Sequence, residues 1–210
     1  PAFLWNGLAP GTTASFRVRT VTDGGVSPWS AVSTACATLP SVTSRPLALS
    51  FKSSCTSVLG TVRCWGHNNL GQLGQGLTGN LGGLPGHMTG IDAVGFAGTS
   101  LVQSVAGTHQ SFCSVFDNGK IRCWGAVADG ALGGSNENRG DTAGEMSNID
   151  FIAFSTSDAA TSVAVGTDHA CAVFANGRMR CWGRGVEGEN GFGDGSGAGL
   201  NAPGMTAIQF

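Results

Sequence analysis

Cysteine is the residue type in this chain whose spacing carries chemistry. Three of the seven cysteines open the string Cys-Trp-Gly, at Cys64, Cys123 and Cys181, 59 and 58 residues apart. Each is preceded by another, at Cys55, Cys113 and Cys171, 58 and 58 residues apart. Thiols in this number could form disulfides, hold zinc or supply a nucleophile. No Cys-x-x-Cys occurs and the four histidines do not track the cysteines, so the ligand spacing of a structural metal site is missing. No Gly-x-Ser-x-Gly, His-Glu-x-x-His or paired-carboxylate motif accompanies them either.

The elements that must position these thiols are short strands and tight turns. Segments such as SFCSVF, KIRCWG, ACAVF and RMRCWG are β-compatible, and between them lie DNG, ANG and LG, which are hairpin turn signals. With Asp117-Asn118-Gly119 as a three-residue loop, counting back along both strands places Cys113 opposite Cys123. Ala175-Asn176-Gly177 does the same for Cys171 and Cys181. In the first hairpin the turn Leu59-Gly60 is one residue shorter and so is the cysteine spacing, which still leaves Cys55 facing Cys64. A non-hydrogen-bonded pair brings Cα atoms to roughly 4.5 Å, within the range a disulfide accepts. Three hairpin disulfides are expected, Cys55 to Cys64, Cys113 to Cys123 and Cys171 to Cys181, each contributing roughly 2 to 3 kcal/mol. The alternative is three pairs of reduced, buried cysteines. Cys36 is left over, with its partner expected outside this sequence or in another chain, or else it is a free buried thiol. Disulfides in this number imply an oxidising compartment, extracellular or at the cell surface.

Other landmarks keep the same beat. Gly71, Gly130 and Gly188 stand seven residues after the Cys-Trp-Gly cysteine, and Gly74, Gly133 and Gly191 stand ten after it. A Met-x-x-Ile pair, read as strand, follows at Met88/Ile91, Met146/Ile149 and Met205/Ile208. The composition agrees with a β-rich chain. Glycine makes up 35 of 210 residues, charged residues are only 11%, and helix-favouring Lys and Glu are scarce. An apolar content of 41% is enough for a core, which argues against disorder. The net charge is −2 with scattered basic residues, so the electrostatic footprint of a nucleic-acid binder is missing. No apolar run approaches the length needed to span a bilayer, and no membrane insertion is expected. Because it opens on Pro1, the chain is read as a processed or excised piece of something longer.

His-Asn-Asn-Leu-Gly-Gln-Leu-Gly-Gln-Gly after Cys64-Trp65-Gly66 resembles the repeat of the regulator of chromosome condensation family, whose units form β-propeller blades. The second unit keeps the pattern as AGTHQSFCSVFDNGKIRCWG with Leu132-Gly133. The third keeps VGTDHACAVFANGRMRCWG and has Glu189-Asn190-Gly191 in place of Gln-Leu-Gly. The paired cysteines resemble secreted versions of the repeat. The resemblance covers residues 47–210 and implies an all-β fold with three blades of an incomplete propeller, at about 47–104, 105–162 and 163–210. The units are longer than the family's usual blade, which places extended loops before each Met. Three blades cannot close a ring alone, so further blades or neighbouring chains are expected to cover the open edge.

Residues 1–40 resemble the C-terminal half of a fibronectin type III sandwich. The match comprises Leu8-x-Pro10-Gly11-Thr12, alternating Phe16, Val18 and Thr20, a Gly-rich turn, Ser27-Pro28-Trp29-Ser30 and a last strand ending at Leu39-Pro40. Ala14 stands where the family usually carries the tyrosine of its corner motif. Residues 41–46 read as a linker, with Pro46 discouraging helix at Arg45.

The remaining chemical candidates have plain structural readings. Gly-x-Gly-x-x-Gly occurs at Gly74/Gly76/Gly79 and Gly183/Gly185/Gly188, but at this glycine content roughly one chance match is expected and neither opens a helix. His109 and His169, with Asp117 and Asp168 nearby, are read as hydrogen-bonded structural residues. The run from Glu189 to Gly199 could bind calcium through Asp194 but lacks a repeated Asp, and reads as a surface loop. Trp65, Trp124 and Trp182 recur once per unit and are assigned to the blade core, while Arg63, Arg122 and Arg180 are candidates to bridge adjacent blades through carbonyls. No Asn-x-Ser/Thr sequon occurs. No catalytic, cofactor-binding or metal-ligating residue is assigned. The expected function is a non-enzymatic extracellular structural or adhesive module of a large cell-surface or filament-forming protein, with other copies or other segments of that protein as partners. The alternative is a secreted propeller that binds or inhibits a specific protein.

Overall fold

A computed structural model describes residues 13–15, 17, 19, 21–22, 24–32, 36–37, 46–127, 132–133, 137–154 and 157–191. The chain divides into two compact units, Pro1–Ser44 and Arg45–Phe210. In the first, β1 (Thr13–Ala14) pairs antiparallel with β4 (Cys36–Ala37), and β2 (Val21–Thr22) pairs with β3 (Gly25–Val26) across a tight turn. Arg19 lies over the exposed Trp29 ring at 4.5 Å. The expected strand through Phe16, Val18 and Thr20, the Leu8 to Thr12 segment, Leu39-Pro40 and linker residues 41–45 lie outside the described residues.

Among the described residues, the second unit contains three antiparallel sheets of three strands each. The first contains β5 (Leu47–Leu49), β6 (Ser53–Val58) and β7 (Thr61–Gly66). The second contains β8 (Val102–Thr108), β9 (Ser111–Phe116) and β10 (Ile121–Gly125). The third contains β11 (Ala160–Val165), β12 (His169–Phe174) and β13 (Met179–Gly183). Repeat boundaries expected at 105 and 163 fall inside β8 and β11. Bulges between Val102 and Ser104 and between Ala160 and Ser162 carry those strands further back toward the preceding turn.

Turn chemistry sets each hairpin's register. Leu59 and Gly60 both have positive φ, 52° and 79°, which is the geometry of a two-residue type I′ turn. In the second hairpin Gly119 is left-handed at 72°, the Phe116 N–H donates to the Lys120 carbonyl, and Asn118 Oδ1 accepts the Lys120 N–H at 3.0 Å. Asn176 and Gly177 repeat this arrangement before Arg178.

Because side chains alternate along a strand, each sheet has two distinct faces. One carries the cysteines, with Ala48, Cys55, Val62 and Cys64 in the first sheet. The other carries the tryptophan, with Val105, Phe112, Phe116 and Trp124 in the second. These two sets pack into one core with Leu73, Val94 and Met146. The next boundary repeats the arrangement, joining Cys113, Val115, Ile121 and Cys123 to Ala170, Ala172, Phe174 and Trp182. Each core is thus made between sheets, cysteine face against tryptophan face.

The Met-x-x-Ile pairs differ from the strand expected of them. His87–Gly90 and Glu145–Asn148 are 3-10 turns, each entered through a left-handed glycine, Gly86 or Gly144. A 3-10 turn eclipses residues i and i+3, so Met146 and Ile149 drop into the same core, both buried. Met205/Ile208 and Gly130 lie outside the described residues. Among the described residues, no helix is long and apolar enough to cross a membrane.

Candidate functional site

The hairpin is the unit from which the site is built. Cys55 is registered opposite Cys64, Cys113 opposite Cys123 and Cys171 opposite Cys181. All three pairs are disulfides, with S–S distances of 2.05, 2.06 and 2.02 Å and Cα separations of 4.1, 4.0 and 4.0 Å. Every bridge lies within one hairpin, and those of the first two sheets are on the face that meets the following sheet. Cys36 sits in the other unit, registered opposite Ala14.

The tryptophan follows the second cysteine and so points to the other face. Trp124 is fully buried, stacked on Phe112 with centroids 5.9 Å apart and met edge-on by Phe96 at 5.3 Å. Its indole N–H donates to the backbone carbonyl of Gln72, in the loop that follows the preceding sheet, at 3.0 Å. Trp182 is equally buried, with Phe154 edge-on at 5.4 Å. Trp65 is only half-buried.

On the tryptophan face two residues before each Trp stands an arginine. Arg122 donates to the Ala97 carbonyl at 3.0 Å, in the segment that joins the first sheet to the second, and lies over Phe151 at 4.1 Å and Phe116 at 5.6 Å. Burial lowers the pKa of its guanidinium and the nearby Asp150 opposes that shift. Arg63 donates to the Ile91 carbonyl, and Arg180 lies over Phe174 at 5.9 Å.

A glycine-rich loop fills the gap between the first two sheets. Gly71 is left-handed and so close to the Gly140–Asp141 backbone that a Cβ would meet the Asp141 nitrogen at 2.5 Å. Gly76 donates to the Gly140 carbonyl at 2.9 Å. The loop is organised by Asn68, buried, which donates to the Leu77 carbonyl at 2.6 Å and accepts the Leu73 N–H at 2.9 Å. On the facing segment, Glu145 accepts from Arg139 at 2.9 Å and from the Gly140 N–H at 2.7 Å. Burial would raise its pKa, but those bonds outweigh burial and hold it below the usual value. A cleft of about 220 Å³ lies beside this pair, lined by Leu132, Gly133, Phe151 and Ile152 among others.

Other candidates fall elsewhere. The His109 ring stacks on Phe51 at 5.3 Å, while Asp117 follows the far end of β9. The His169 ring lies where a Cβ on Gly166 would be. Gly74 and Gly76 of the first glycine motif pack on Met146 and Ala143, and Gly183 ends β13. Asp194 lies outside the described residues, among which no group of three or more His, Cys, Asp or Glu is placed to hold a metal. Sequence reasoning missed Phe96 and Phe154, whose 58-residue spacing was a readable signal, and Gln72, whose backbone carbonyl leaves no such trace.

Disulfide-closed hairpins in three-stranded sheets, stacked face to face at a period of 58 to 59 residues, define consecutive blades of a β-propeller. The three sheets are accordingly blades 1, 2 and 3. The sequence pattern of the regulator of chromosome condensation (RCC1) repeat matches residues 160–189, within blade 3. In structure the chain is similar to yeast RCC1 (Prp20) bound to Kap60, with a TM-score of 0.58 at 18% identity over 78% of this chain and 36% of that one. It is similar to Prp20p from Saccharomyces cerevisiae, at 0.51 and 18% over 74% and 37%, and to human WBSCR16, at 0.54 and 18% over 67% and 33%. The chain spans about a third of the length of these structures.

Proposed function

We propose that this chain is an extracellular, non-enzymatic module that works by protein–protein contact, as a structural or adhesive part of a large cell-surface or filament-forming protein. The observation that carries this reading is one disulfide in every blade, which fits an oxidising compartment. Propeller repeats bury their faces only against neighbours and present extended surfaces to partners. Similar structures support contact with proteins, since Prp20 is solved bound to Kap60 and Prp20p is described with binding properties to Gsp1p and histones. The absence of a basic cluster in the sequence favours protein over nucleic acid as the partner. Residues 1–40 are read as fibronectin type III-like, a module type suited to the same setting. Electron microscopy of native material combined with cross-linking mass spectrometry tests the reading. Extended assemblies with cross-links from these blades to protein neighbours are expected, and an isolated closed ring without such neighbours would overturn it.

A further inference from the structure

We propose that the Cys55–Cys64 and Cys113–Cys123 disulfides are cryptic thiol–disulfide exchange sites, each covered by the blade that follows and open to a dithiol only when that boundary opens. The proposal concerns these two bridges and not the identity of any protein the module contacts, so the two readings fail separately.

Side chains of a cross-strand pair project out of the sheet, so a hairpin does not cover its own bridge. Yet Cys55 and Cys64 are both 0% exposed, and Cys113 and Cys123 are 0% and 1% exposed. The cover comes from the next blade. Phe112, Phe116 and Trp124 of blade 2 pack in one core with Cys55 and Cys64, and Ala170, Ala172 and Trp182 of blade 3 pack in one core with Cys113 and Cys123. What holds each cover down is non-covalent. At the first boundary the Trp124 indole is bonded to the Gln72 carbonyl, and the Val102 N–H donates to the Gly60 carbonyl at 2.9 Å. At the second the Ala160 N–H donates to the Gly119 carbonyl at 2.9 Å. Exchange depends on access to sulfur, and local opening of a packed boundary costs less than unfolding the whole molecule. The boundary therefore acts as the gate.

Once a boundary is open the chemistry is ordinary exchange. One thiolate of an external dithiol attacks a bridge sulfur, forming a mixed disulfide and releasing the other cysteine as a thiolate that takes up a proton. The dithiol's second sulfur, also as a thiolate, then displaces the remaining cysteine, which is protonated in turn. Two electrons pass to the protein, leaving two cysteine thiols and the reagent as its own disulfide. Strand register keeps the two thiols opposite each other, so the same bridge can re-form.

Reduction of the oxidised 210-residue chain by dithiothreitol, quenched by alkylation and resolved by peptide mass spectrometry, measures each bridge separately. In native buffer both are expected to react at least about a hundredfold more slowly than in the oxidised chain in urea. Two in-phase wedges then separate the boundaries. Ser114→Leu adds bulk at a buried position opposite Arg122 on the tryptophan face of blade 2, and Ala172→Leu does so opposite Arg180 on blade 3. Ser114→Leu is expected to speed reduction of Cys55–Cys64 about tenfold while leaving Cys113–Cys123, in its own blade, within about twofold of wild type. Ala172→Leu is expected to speed Cys113–Cys123 and to leave Cys55–Cys64 unchanged. Intact mass with three disulfides and an unchanged far-UV spectrum establish folding, and Trp124→Phe and Trp182→Phe replace a wedge that misfolds. A bridge reduced as fast in native buffer as in urea overturns the proposal. So does a wedge that exposes the bridge of its own blade instead of the preceding one, or that speeds both bridges alike.

Discussion

The indole N–H of Trp124 donates to the backbone carbonyl of Gln72, 52 residues earlier and one blade back, at 3.0 Å. Both residues are buried, so this bond ties the second sheet to the loop after the first where no water can replace it. Leaving a buried carbonyl unpaired costs about 1 to 3 kcal/mol.

Trp124→Phe keeps an aromatic ring in the core but removes the donor, and is expected to lower stability by about 1 to 3 kcal/mol. Trp65→Phe, at a half-buried position, is expected to cost less than about 0.5 kcal/mol in the dilute chain. Urea denaturation of both oxidised variants checks the difference, and equal losses would show that the bond to Gln72 contributes nothing.

Arg122 joins blade 2 to the segment leaving blade 1 through the Ala97 carbonyl while lying over Phe151. Arg122→Met retains much of the stem's packing and removes both interactions, for an expected loss of about 1 to 2 kcal/mol. Arg122→Lys should recover little, because an ammonium cannot stack as a planar guanidinium does. The midpoint of chemical denaturation reads this out, and a lysine variant equal to wild type would refute the stacking account.

Leu59 is a non-glycine residue at φ 52°, exposed at the tip of the first hairpin. Asn-Gly suits a type I′ turn, where Leu-Gly pays the left-handed penalty. Leu59→Asn is expected to raise stability by about 0.5 to 1 kcal/mol, seen as a higher Tm with the same denaturant dependence. Leu59→Val should do the reverse, since β-branching worsens the left-handed conformation.

Glu145 gives the acid response its sign. Its carboxylate has a lowered pKa because the bonds from Arg139 and the backbone outweigh burial, so it binds its proton less readily when folded. A depressed carboxylate contributes stability above its ordinary value of about 4.5 and loses that contribution as pH falls through the folded value. The stability gap between wild type and Glu145→Gln should therefore be present at neutral pH and close below about pH 4.5. Denaturation at a series of pH values measures it, and a gap that widens in acid would contradict the assignment.

Much of the fold could be read from local chemistry. Hairpin turns with Asn-Gly or Leu-Gly and period-two strands place each cysteine opposite its counterpart by counting alone, and the in-phase tryptophans follow from the cysteines by alternation. The Met-x-x-Ile segments misled because two apolar residues in a short segment are compatible with a strand, although a spacing of three puts them on one face only in a 3-10 turn. Only the glycine-entered turn and the waiting core decide it, and that core is made with the neighbouring blade. The Gln72 contact was hidden for a related reason, since a carbonyl acceptor is common to every residue type. Asn68 escaped notice because a polar residue in a glycine-rich loop reads as solvated until the loop closes over it.

The disulfides close hairpins and never cross from one blade to the next. Under tension along the chain, blade can part from blade while each hairpin remains shut, holding 9 or 10 residues out of the extended length. That hides about 30 Å of contour per blade. The module is thus a series of covalently limited links with non-covalent joints, able to give at its boundaries and close again without breaking a covalent bond.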